Sequence, residues 1–340
     1  MLRNRALPQL NRVSPFQAGS RKGRSATDNL FLLRSCIDHA LYLKKPIYIT
    51  AYDYQQAFDA LWLEDCILVL SRLGVEQYVL SLIYKMNKKA VVQIKTCHGN
   101  TPKFTVSDLA KQGGIWGPVL CSSSTAEYSG KNEGMSIGTA RVTSLAYVDD
   151  MLDVNVSPEN AEASHDHALE FSHKKKSDYS VGKCSVMTVN QRNSLREPNL
   201  LIGTEQLKKV NITKYLGDLF NAKGNNVDLM KDRTQRGTQA SVGIAAFMGE
   251  VILGSHTTSV YLLLYRSIFI SSVLFNSQAW SNLTKTDLLG LTGVQICFLK
   301  KVVEAPKSTC NAFVYLELGV LPINYEIHQR QLSCCFILYI

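Results

Sequence analysis

The sequence has no CxxC cysteine pair, which excludes the common zinc and redox motifs. Its nine cysteines are scattered over 340 residues and none of them forms a CxxC motif, the spacing on which many zinc sites and thioredoxin-like redox sites depend. Because they are odd in number and dispersed, we expect reduced, mostly buried thiols. Such thiols are typical of an intracellular protein, in either the nucleus or the cytoplasm.

A long uninterrupted apolar run is also lacking. The most apolar stretch, residues 260–275, is interrupted by Arg266 and by three serines. A membrane-spanning helix needs ~20 apolar residues. We therefore expect a buried helix there and no membrane partner. Acidic residues are absent from residues 1–24, a composition shared by transit peptides and by basic segments that contact a template.

What the chain has in excess is positive charge. Lys and Arg outnumber Asp and Glu by 37 to 28, which gives a formal net charge of +9 and a pI near 9.0. This balance favours an anionic partner such as nucleic acid. Hydrophobic residues make up 46% of the chain, enough for one large or two modest folded domains.

Local patterns predict mixed helix and strand up to about residue 224. Ser25 and Asp28 form the signature of a capped helix start, and residues 47–53 read as a buried strand that delivers Asp53 at its carboxyl end. Further elements are expected as helices over 58–73, 76–87 and 159–175 and as a hairpin over 91–106. From about residue 227 the chain reads as almost entirely helical.

Three aspartates in the mixed region form a candidate metal site. Asp149 and Asp150 occupy the tight turn of a hairpin predicted over residues 139–156, and a neighbouring strand can bring Asp53 to the same sheet edge. Mg²⁺ prefers carboxylate oxygen, and two such ions can activate an attacking oxygen and stabilise a leaving one in phosphoryl transfer. An aspartate pair in a turn is also a common structural feature, so the pair alone leaves both interpretations open.

These segments, in this order, resemble the reverse transcriptases of non-LTR retrotransposons of the LINE-like or jockey-like type. The matching segments are RKGRSATDNLF (21–31), AYDYQQAFDALW (51–62), QGGIWGPVLC (112–121), LAYVDDML (145–152), GKCSVM (182–187) and KYLGDLF (214–220). Residues 294–323 are similar to the helical region that follows the polymerase in these elements. The likeness thus covers nearly the whole chain.

The resemblance implies a fold and an activity. The fold is α+β, with a right-hand polymerase palm and partial fingers over residues 1–224, followed by an all-helical thumb and connection region over residues 225–340. The activity is RNA-directed DNA polymerase, a two-metal nucleotidyl transfer to a primer 3′-hydroxyl with Mg²⁺ or, as a substitute, Mn²⁺. The implied partners are an RNA template, a DNA primer and deoxynucleoside triphosphates.

The resemblance also assigns roles to residues around the first palm motif and the aspartate pair. It makes Asp53 and Asp149 the principal metal ligands, with Asp150 as the neighbouring acid, and it turns the backbone carbonyl of Tyr54 towards a metal. Phe58 falls at the steric-gate position, where an aromatic ring crowds a ribose 2′-hydroxyl and selects deoxynucleotides. A core position on an amphipathic helix is the alternative for Phe58.

Other assigned residues concern the nucleotide and the template. Gln112 and Gly113 match a loop that lies along the template and the incoming nucleotide, where a missing side chain permits close backbone approach; an ordinary turn is the alternative. Tyr147 precedes the aspartate pair and is assigned to the same nucleotide-binding surface. Lys183 matches a lysine that protonates or neutralises the departing pyrophosphate, and a surface lysine before a strand is its alternative.

Basic and histidine clusters outside these motifs carry weaker expectations. Arg21, Lys22 and Arg24 lie beside a helix start and are candidates for phosphate contacts with template or triphosphate. The lysines at 174–176 are expected on a solvated surface. The histidines within residues 165–173 have no accompanying cysteine or carboxylate pattern, so we expect them on the surface as well.

The chain departs from the retrotransposon pattern at several positions. Ser20 stands where an aromatic residue is usual, Ile115 and Gly117 replace a proline and a serine, and only a short segment precedes Gln17 where relatives carry further finger strands. We therefore expect an N-terminally truncated reverse transcriptase. The alternative is a catalytically inactive, nucleic-acid-binding remnant of a mobile element.

Overall fold

The computed structural model describes residues 7–12, 14–58, 61–88, 90–106, 114–130, 133–191, 196–251 and 257–338. The chain divides into two compact units, the first made of residues 1–216 and 222–224 and the second of residues 217–221 and 225–340. The first unit mixes helix and strand, and the second is mainly helical. The assignment of palm, fingers and thumb to these parts stays a prediction.

The first unit is built from short strands and helices. Its strands are β1 (Ile47–Tyr52), β2 (Ala90–Val92), β3 (Lys95–Thr96), β4 (Gly99–Asn100), β5 (Phe104–Val106), β6 (Met135–Ile137), β7 (Ala140–Val142), β8 (Ser144–Tyr147), β9 (Asp150–Asn155), β10 (Ser185–Val189), β11 (Leu201–Ile202), β12 (Glu205–Gln206), β13 (Lys208–Lys209) and β14 (Ile212–Tyr215). Its helices are a 3₁₀ helix (Leu7–Arg12), α1 (Ala26–Leu43), α2 (Leu63–Arg72), α3 (Gln77–Asn87), α4 (Gly117–Ser124) and α5 (Pro158–Lys174).

A five-stranded sheet in the order β13-β10-β1-β9-β8 forms the centre of the first unit. β1 is buried along nearly its whole length, as predicted for residues 47–53, and it pairs antiparallel with both β9 and β10. Because antiparallel neighbours run in opposite directions, the end of β1, the start of β9 and the start of β10 meet at one sheet edge. The residues that follow or precede these ends are therefore brought together.

The helix cap predicted from the sequence at Ser25 is present in the structure. The backbone N–H of Ser25 donates to Asp28 Oδ2 at 2.8 Å, so α1 begins where the capping pattern predicted. At α5 the Ser157 hydroxyl accepts from the Asn160 N–H at 3.2 Å. α1 contacts β8 and β10, and α5 contacts β1 and β9, so both helices cover the central sheet.

The helix predicted over 58–73 begins later than expected, at Leu63. Ahead of this helix the chain after β1 still makes a strand-like contact, because the Gln55 N–H donates to the Asp178 carbonyl at 2.8 Å. Gln56 then takes a positive φ of 50°, a conformation that a helix does not allow. The hairpin predicted over 91–106 is confirmed by the antiparallel pairing of β2 with β5.

One of the histidines predicted on the surface is in fact buried beneath the sheet. His165 is 1% exposed; its Nδ1 lies 3.4 Å from the Tyr52 hydroxyl and its Nε2 lies 2.9 Å from the Leu201 carbonyl. Burial lowers the pKa of His165, so the neutral ring is favoured. Its position on α5 faces the sheet, whereas His173 near the end of that helix is exposed.

Cysteines are buried less often than expected. Among the eight described cysteines none forms a disulfide and half are buried. The exposed or partly exposed ones are Cys97, Cys297, Cys310 and Cys334. Burial therefore follows the local element and not the residue type.

The second unit is a helical assembly with its own hydrophobic core. It contains β15 (Asp218–Asn221), α6 (Val227–Val251), α7 (Thr257–Leu264), a π-helical segment (Tyr265–Ile270), a three-residue α-helical segment (Ser271–Val273), a 3₁₀ helix (Ser277–Ala279), α8 (Lys285–Val302), α9 (Asn311–Leu318) and α10 (Ile323–Leu338). The almost entirely helical structure expected from about residue 227 is confirmed for the described residues.

The apolar stretch at 260–275 is helical but only partly buried. Tyr265 and Phe269 are 1% and 0% exposed, whereas Leu263 is 65% exposed. The Tyr265 and Phe269 rings stack with centroids 5.2 Å apart, so one face of the segment packs into the core of the second unit. None of the described helices combines the length and apolar character that a membrane crossing requires.

A buried ion pair anchors α6 within the second unit. Arg233 and Asp218 form a salt bridge with side chains 1% and 2% exposed, and the Arg233 guanidinium also donates to the Gly217 carbonyl at 3.0 Å. The indole N–H of Trp280 donates to the other carboxylate oxygen of Asp218 at 3.1 Å. The buried charges are thus paired and hydrogen-bonded, as charges must be when removed from water.

Asp153 gives the first unit a pH-dependent stability. The side chain is 0% exposed and accepts from the Tyr128 hydroxyl at 2.6 Å; burial raises its pKa to about 7, against the opposing effect of hydrogen bonds from Tyr128 and Tyr52. A carboxyl whose pKa is higher in the folded state binds a proton on folding, so its contribution to stability falls as pH rises from about 4 to about 7.

We expect Asp153→Asn to remove this pH dependence. Relative to the variant, the unfolding free energy of the wild type should fall by up to roughly 4 kcal/mol between pH 4 and pH 7, as measured by urea unfolding at several pH values. Asp166→Asn, an exposed substitution on α5, is the control and should keep the wild-type slope. An unchanged slope in Asp153→Asn would show that folding does not raise the pKa of Asp153.

Candidate active site

The candidate site lies at the sheet edge where β1 ends. Asp53 follows β1 directly, and the backbone on its two sides is fixed by the segment before β10. The Ser180 N–H donates to the Asp53 carbonyl at 2.8 Å, and the Asp53 N–H donates to Cys184 Sγ at 3.4 Å. The position of Asp53 is therefore determined by long-range contacts in addition to its strand.

Lys183 lies beside Asp53 at this edge. Its ammonium Nζ is 3.2 Å from Asp53 Oδ1, and the two side chains are 68% and 41% exposed. A pair this exposed to water contributes little to stability. The ion pair matters because it places the Lys183 ammonium next to Asp53, the candidate metal ligand.

Asp149 and Asp150 come to the same edge through the turn between β8 and β9. Burial raises the pKa of Asp149, and the charge of Asp53 raises it further. The pKa of Asp150 is raised to about 6 by burial and by the charges of Asp149 and Asp53. The three carboxylates predicted from separate parts of the sequence thus share one electrostatic environment.

The donor chemistry of this edge fits a hard divalent cation. Carboxylate oxygens are the ligands that Mg²⁺ prefers. The charges of Asp149 and Asp53 raise the pKa of Asp150, and a bound cation would offset this repulsion. Within the described ranges no three His, Cys, Asp or Glu side chains are gathered as a ready metal-binding group. The structure therefore shows coupled carboxylates on neighbouring strand ends and not a closed ligand cage.

Aromatic residues assigned to the nucleotide side occupy different environments. Tyr54 is 9% exposed; its hydroxyl donates to Met151 Sδ and accepts from Tyr179, both at 3.2 Å. Phe58 is partly buried against the apolar cluster formed around α2, α3 and α4. Tyr147, at the end of β8, is paired in register with Asp150, while Gln112 and Gly113 lie outside the described residues.

The basic residues before α1 divide into a structural one and exposed ones. The Arg21 guanidinium donates to the carbonyls of Ser14 and Gln17 at 3.1 and 3.2 Å, and burial together with the charge of Arg24 lowers its pKa. Lys22 and Arg24 are exposed. Arg21 thus stabilises the backbone before α1, whereas the charged side chains of Lys22 and Arg24 lie in solvent.

A buried lysine was missed by sequence reasoning, which placed residues 174–176 on a solvated surface. The Lys175 side chain is 4% exposed, and its Nζ lies 2.7 Å from Asp65 Oδ2 and 3.2 Å from Glu127 Oε2. The expectation was wrong for this residue because its acidic partners arrive from α2 and from the chain after α4. Nothing in the local sequence distinguishes it from Lys174, which is exposed.

This chain matches a known class of protein, the RNA-dependent DNA polymerases. Residues 1–219 match the family described as "Reverse transcriptase (RNA-dependent DNA polymerase)". This chain therefore belongs to the reverse transcriptase family. No curated protein matches the sequence.

Solved structures with a similar fold include yeast telomerases. Apo telomerase from Candida tropicalis aligns with a TM-score of 0.52 and 10% identity over 97% of this chain and 54% of its own. Telomerase from Candida albicans, solved with a fragment of telomeric RNA, aligns with a TM-score of 0.50 and 11% identity over 94% of this chain and 58% of its own. The chain spans little more than half the length of these telomerases, and the likeness shows the fold.

Breaking the Lys175 cluster should destabilise the first unit. We expect Lys175→Met to lower the unfolding free energy by about 2–3 kcal/mol, below the 3–5 kcal/mol typical of a broken buried pair, because the Glu127 side chain is 34% exposed and can be hydrated. Thermal and urea unfolding measure the effect. Lys174→Met is the matched control, and equal stabilities of the two variants would contradict the buried ion pair.

Proposed function

We propose that this chain is the polymerase region of a non-LTR, LINE-like or jockey-like retrotransposon, which extends a DNA primer on an RNA template. The observation that carries the proposal is the convergence of Asp53, Asp149 and Asp150 at one sheet edge of a reverse transcriptase family member. The retrotransposon subtype is supported by the ordered motifs of the sequence. In this proposal residues 1–224 form the palm and partial fingers, and residues 225–340 form the thumb and connection.

The proposed reaction is attack of the primer 3′-hydroxyl on the α-phosphate of a deoxynucleoside triphosphate, with pyrophosphate as the leaving group. Asp53, Asp149 and Asp150 would hold two Mg²⁺ ions, or Mn²⁺ in their place, with the Tyr54 carbonyl as a further oxygen. When bound, such ions lower the energy of the attacking and leaving oxygens. The carboxylates serve this role best when ionised, a state that a bound cation favours.

Lys183 is proposed to act on the leaving group. Its ammonium is held near Asp53 by a solvent-exposed contact, so it can turn towards another negative charge at small cost. A lysine in that position can neutralise the departing pyrophosphate or donate a proton to it.

The proposed substrates agree with the charge of the molecule. A net charge of +9 favours binding of an RNA template and a DNA primer, and exposed Lys22 and Arg24 are available for phosphate contacts. Tyr147, Gln112 and Gly113 are proposed on the nucleotide and template side. An RNA partner agrees with the similar fold of a telomerase solved with telomeric RNA. For the location of the protein we propose the nucleus or the cytoplasm.

A second candidate is a catalytically inactive remnant that still binds nucleic acid. It is favoured by the lack, in the described part of the chain, of a gathered metal-ligand group. The replacements at Ser20, Ile115 and Gly117 act in the same direction, because they alter segments that position the nucleotide in the retrotransposon pattern. In this candidate the chain still binds nucleic acid through its basic surface but has no polymerase activity.

Primer extension separates the candidates. We expect the intact chain to extend a DNA primer on an RNA template with Mg²⁺ or Mn²⁺, and the Asp149→Asn, Asp150→Asn double variant to lose at least ~10³-fold in rate, since it loses charge that acts on the reacting phosphate. Asp166→Asn on α5 is the control and should extend normally. A folded, nucleic-acid-binding chain that extends nothing with either metal supports the remnant.

The steric-gate role of Phe58 predicts a change in sugar selection. Phe58→Ala should raise incorporation of ribonucleotides relative to deoxynucleotides by roughly 10-fold or more, because a smaller side chain leaves room for the 2′-hydroxyl. Single-nucleotide extension with each substrate gives the ratio. Leu61→Ala, in the same apolar cluster, controls for loss of packing, and a similar ratio in the two variants would remove Phe58 from the gate.

A further inference from the structure

The turn that presents the aspartate pair has a conformation that its own sequence disfavours. Val148, the residue before Asp149, has a φ of 62°. Left-handed backbone is uncommon outside glycine and asparagine, and a β-branched side chain is among the least suited to it. Contacts from elsewhere in the chain must therefore hold this residue in place.

The side-chain amide of Gln17 supplies such contacts. Gln17 Oε1 accepts from the Val148 N–H at 3.0 Å, and Gln17 Nε2 donates to the Val148 carbonyl at 3.2 Å. Gln17 is 1% exposed, so water does not compete for these bonds. One side chain thus satisfies both backbone polar groups of the strained residue.

Thr125 completes the hydrogen bonding around the turn. Its hydroxyl accepts from Gln17 Nε2 at 2.7 Å and donates to the Val148 carbonyl at 2.9 Å. Thr125 is 2% exposed and follows α4 directly. The Val148 carbonyl therefore receives hydrogen bonds from two side chains, each from a different part of the sequence.

The backbone around Gln17 is attached to the strand that leads into the turn. Gln17 forms a parallel bridge with Ala146; the Ala146 N–H donates to the Phe16 carbonyl and the Ala18 N–H donates to the Ala146 carbonyl, both at 2.9 Å. The Gln17 amide is thereby held at a fixed distance from the turn. It does not rely on a flexible loop to reach Val148.

Gly19 allows the close approach of this segment. A Cβ at position 19 would lie 2.5 Å from the backbone nitrogen of Val148 and 2.8 Å from its Cγ2, distances too short for any side chain. The Gly19 N–H also donates to Gln17 Oε1 at 2.8 Å, which orients the amide. The segment from Gln17 to Gly19 therefore fits against the turn because it lacks a side chain at its last residue.

We propose that Gln17 is a positioning residue for the metal-binding aspartates, holding Val148 in the left-handed conformation that directs Asp149 and Asp150 to the sheet edge. The expected effect of Gln17 on catalysis rests on the proposed polymerase function. The hydrogen bonds that Gln17 and Thr125 make to Val148, here called the clamp, are a property of the turn. They can be measured without catalysis. The hydrogen bonds from Gln17 to the turn go to the Val148 N–H and carbonyl, so it acts on the aspartates through this backbone.

The test compares Gln17→Leu with the wild type in three measurements. Hydrogen exchange of peptides covering residues 145–152 should be faster in the variant, because the Val148 N–H loses its acceptor. Mn²⁺ affinity, measured by electron paramagnetic resonance, should fall at least roughly tenfold, as is usual when a residue that orients metal ligands is removed. Primer extension should fall in proportion, and Gln206→Leu, at an exposed position on β12, should match the wild type throughout.

A rescue experiment separates positioning from general loss of packing. Glycine adopts positive φ without a steric penalty, so Val148→Gly in the Gln17→Leu background should recover several-fold in Mn²⁺ affinity relative to Gln17→Leu alone. Additive losses in the double variant would overturn the proposal, as would Gln17→Leu with wild-type exchange and wild-type Mn²⁺ affinity.

Two further outcomes are informative. If Gln17→Leu does not fold, Thr125→Val provides the same comparison, since it removes one of the two bonds to the Val148 carbonyl; unchanged exchange and unchanged Mn²⁺ affinity in a folded Thr125→Val protein would overturn the clamp. If the wild type extends no primer, the proposed polymerase activity fails. The clamp then still stands or falls on exchange and Mn²⁺ affinity.

Discussion

The antiparallel pairing of β1 with β9 on one side and with β10 on the other is the constraint on which the candidate site depends. Tyr52 is in register with Met151, and Ala51 with Ser185, so the residues that flank these positions meet at one edge. A slip of one residue would move every side chain of β1 to the opposite face. Both faces of β1 are buried. A slip would therefore force all of its side chains to repack against the elements that cover the sheet.

Charge and polarity in the first unit are distributed around this sheet in two different ways. At the edge, Asp53, Asp149 and Asp150 are partly accessible, and burial together with the charge of Asp53 raises the pKa of both Asp149 and Asp150. Beneath the sheet, Asp153 is fully buried and held by tyrosine hydroxyls. Aspartates only a few positions apart on one strand thus have opposite roles, because successive residues of a strand face opposite sides.

The edge is also where local preference and tertiary structure disagree. Val148 adopts a backbone conformation that valine disfavours, and the helix predicted from residue 58 begins only at Leu63. Such conflicts are expected at functional sites, where strain is maintained by the surrounding structure. In this chain the surrounding structure is identifiable: Gln17, Thr125 and Gly19 act on Val148, and the segment before β10 acts on Asp53.

The sequence by itself determined the elements and the candidate acids, because both depend on local patterns. A run of β-branched and aromatic residues made β1 recognisable, the Ser25–Asp28 pair marked the start of α1, and the ordered motifs indicated a reverse transcriptase through their resemblance to that family. The tertiary structure alone decided the environment of individual side chains. His165 and Lys175 look like surface residues because their partners, Tyr52 for one and Asp65 with Glu127 for the other, lie far away in the sequence. The conformation of Val148 was equally hidden, since the amide that holds it comes from a residue 131 positions earlier.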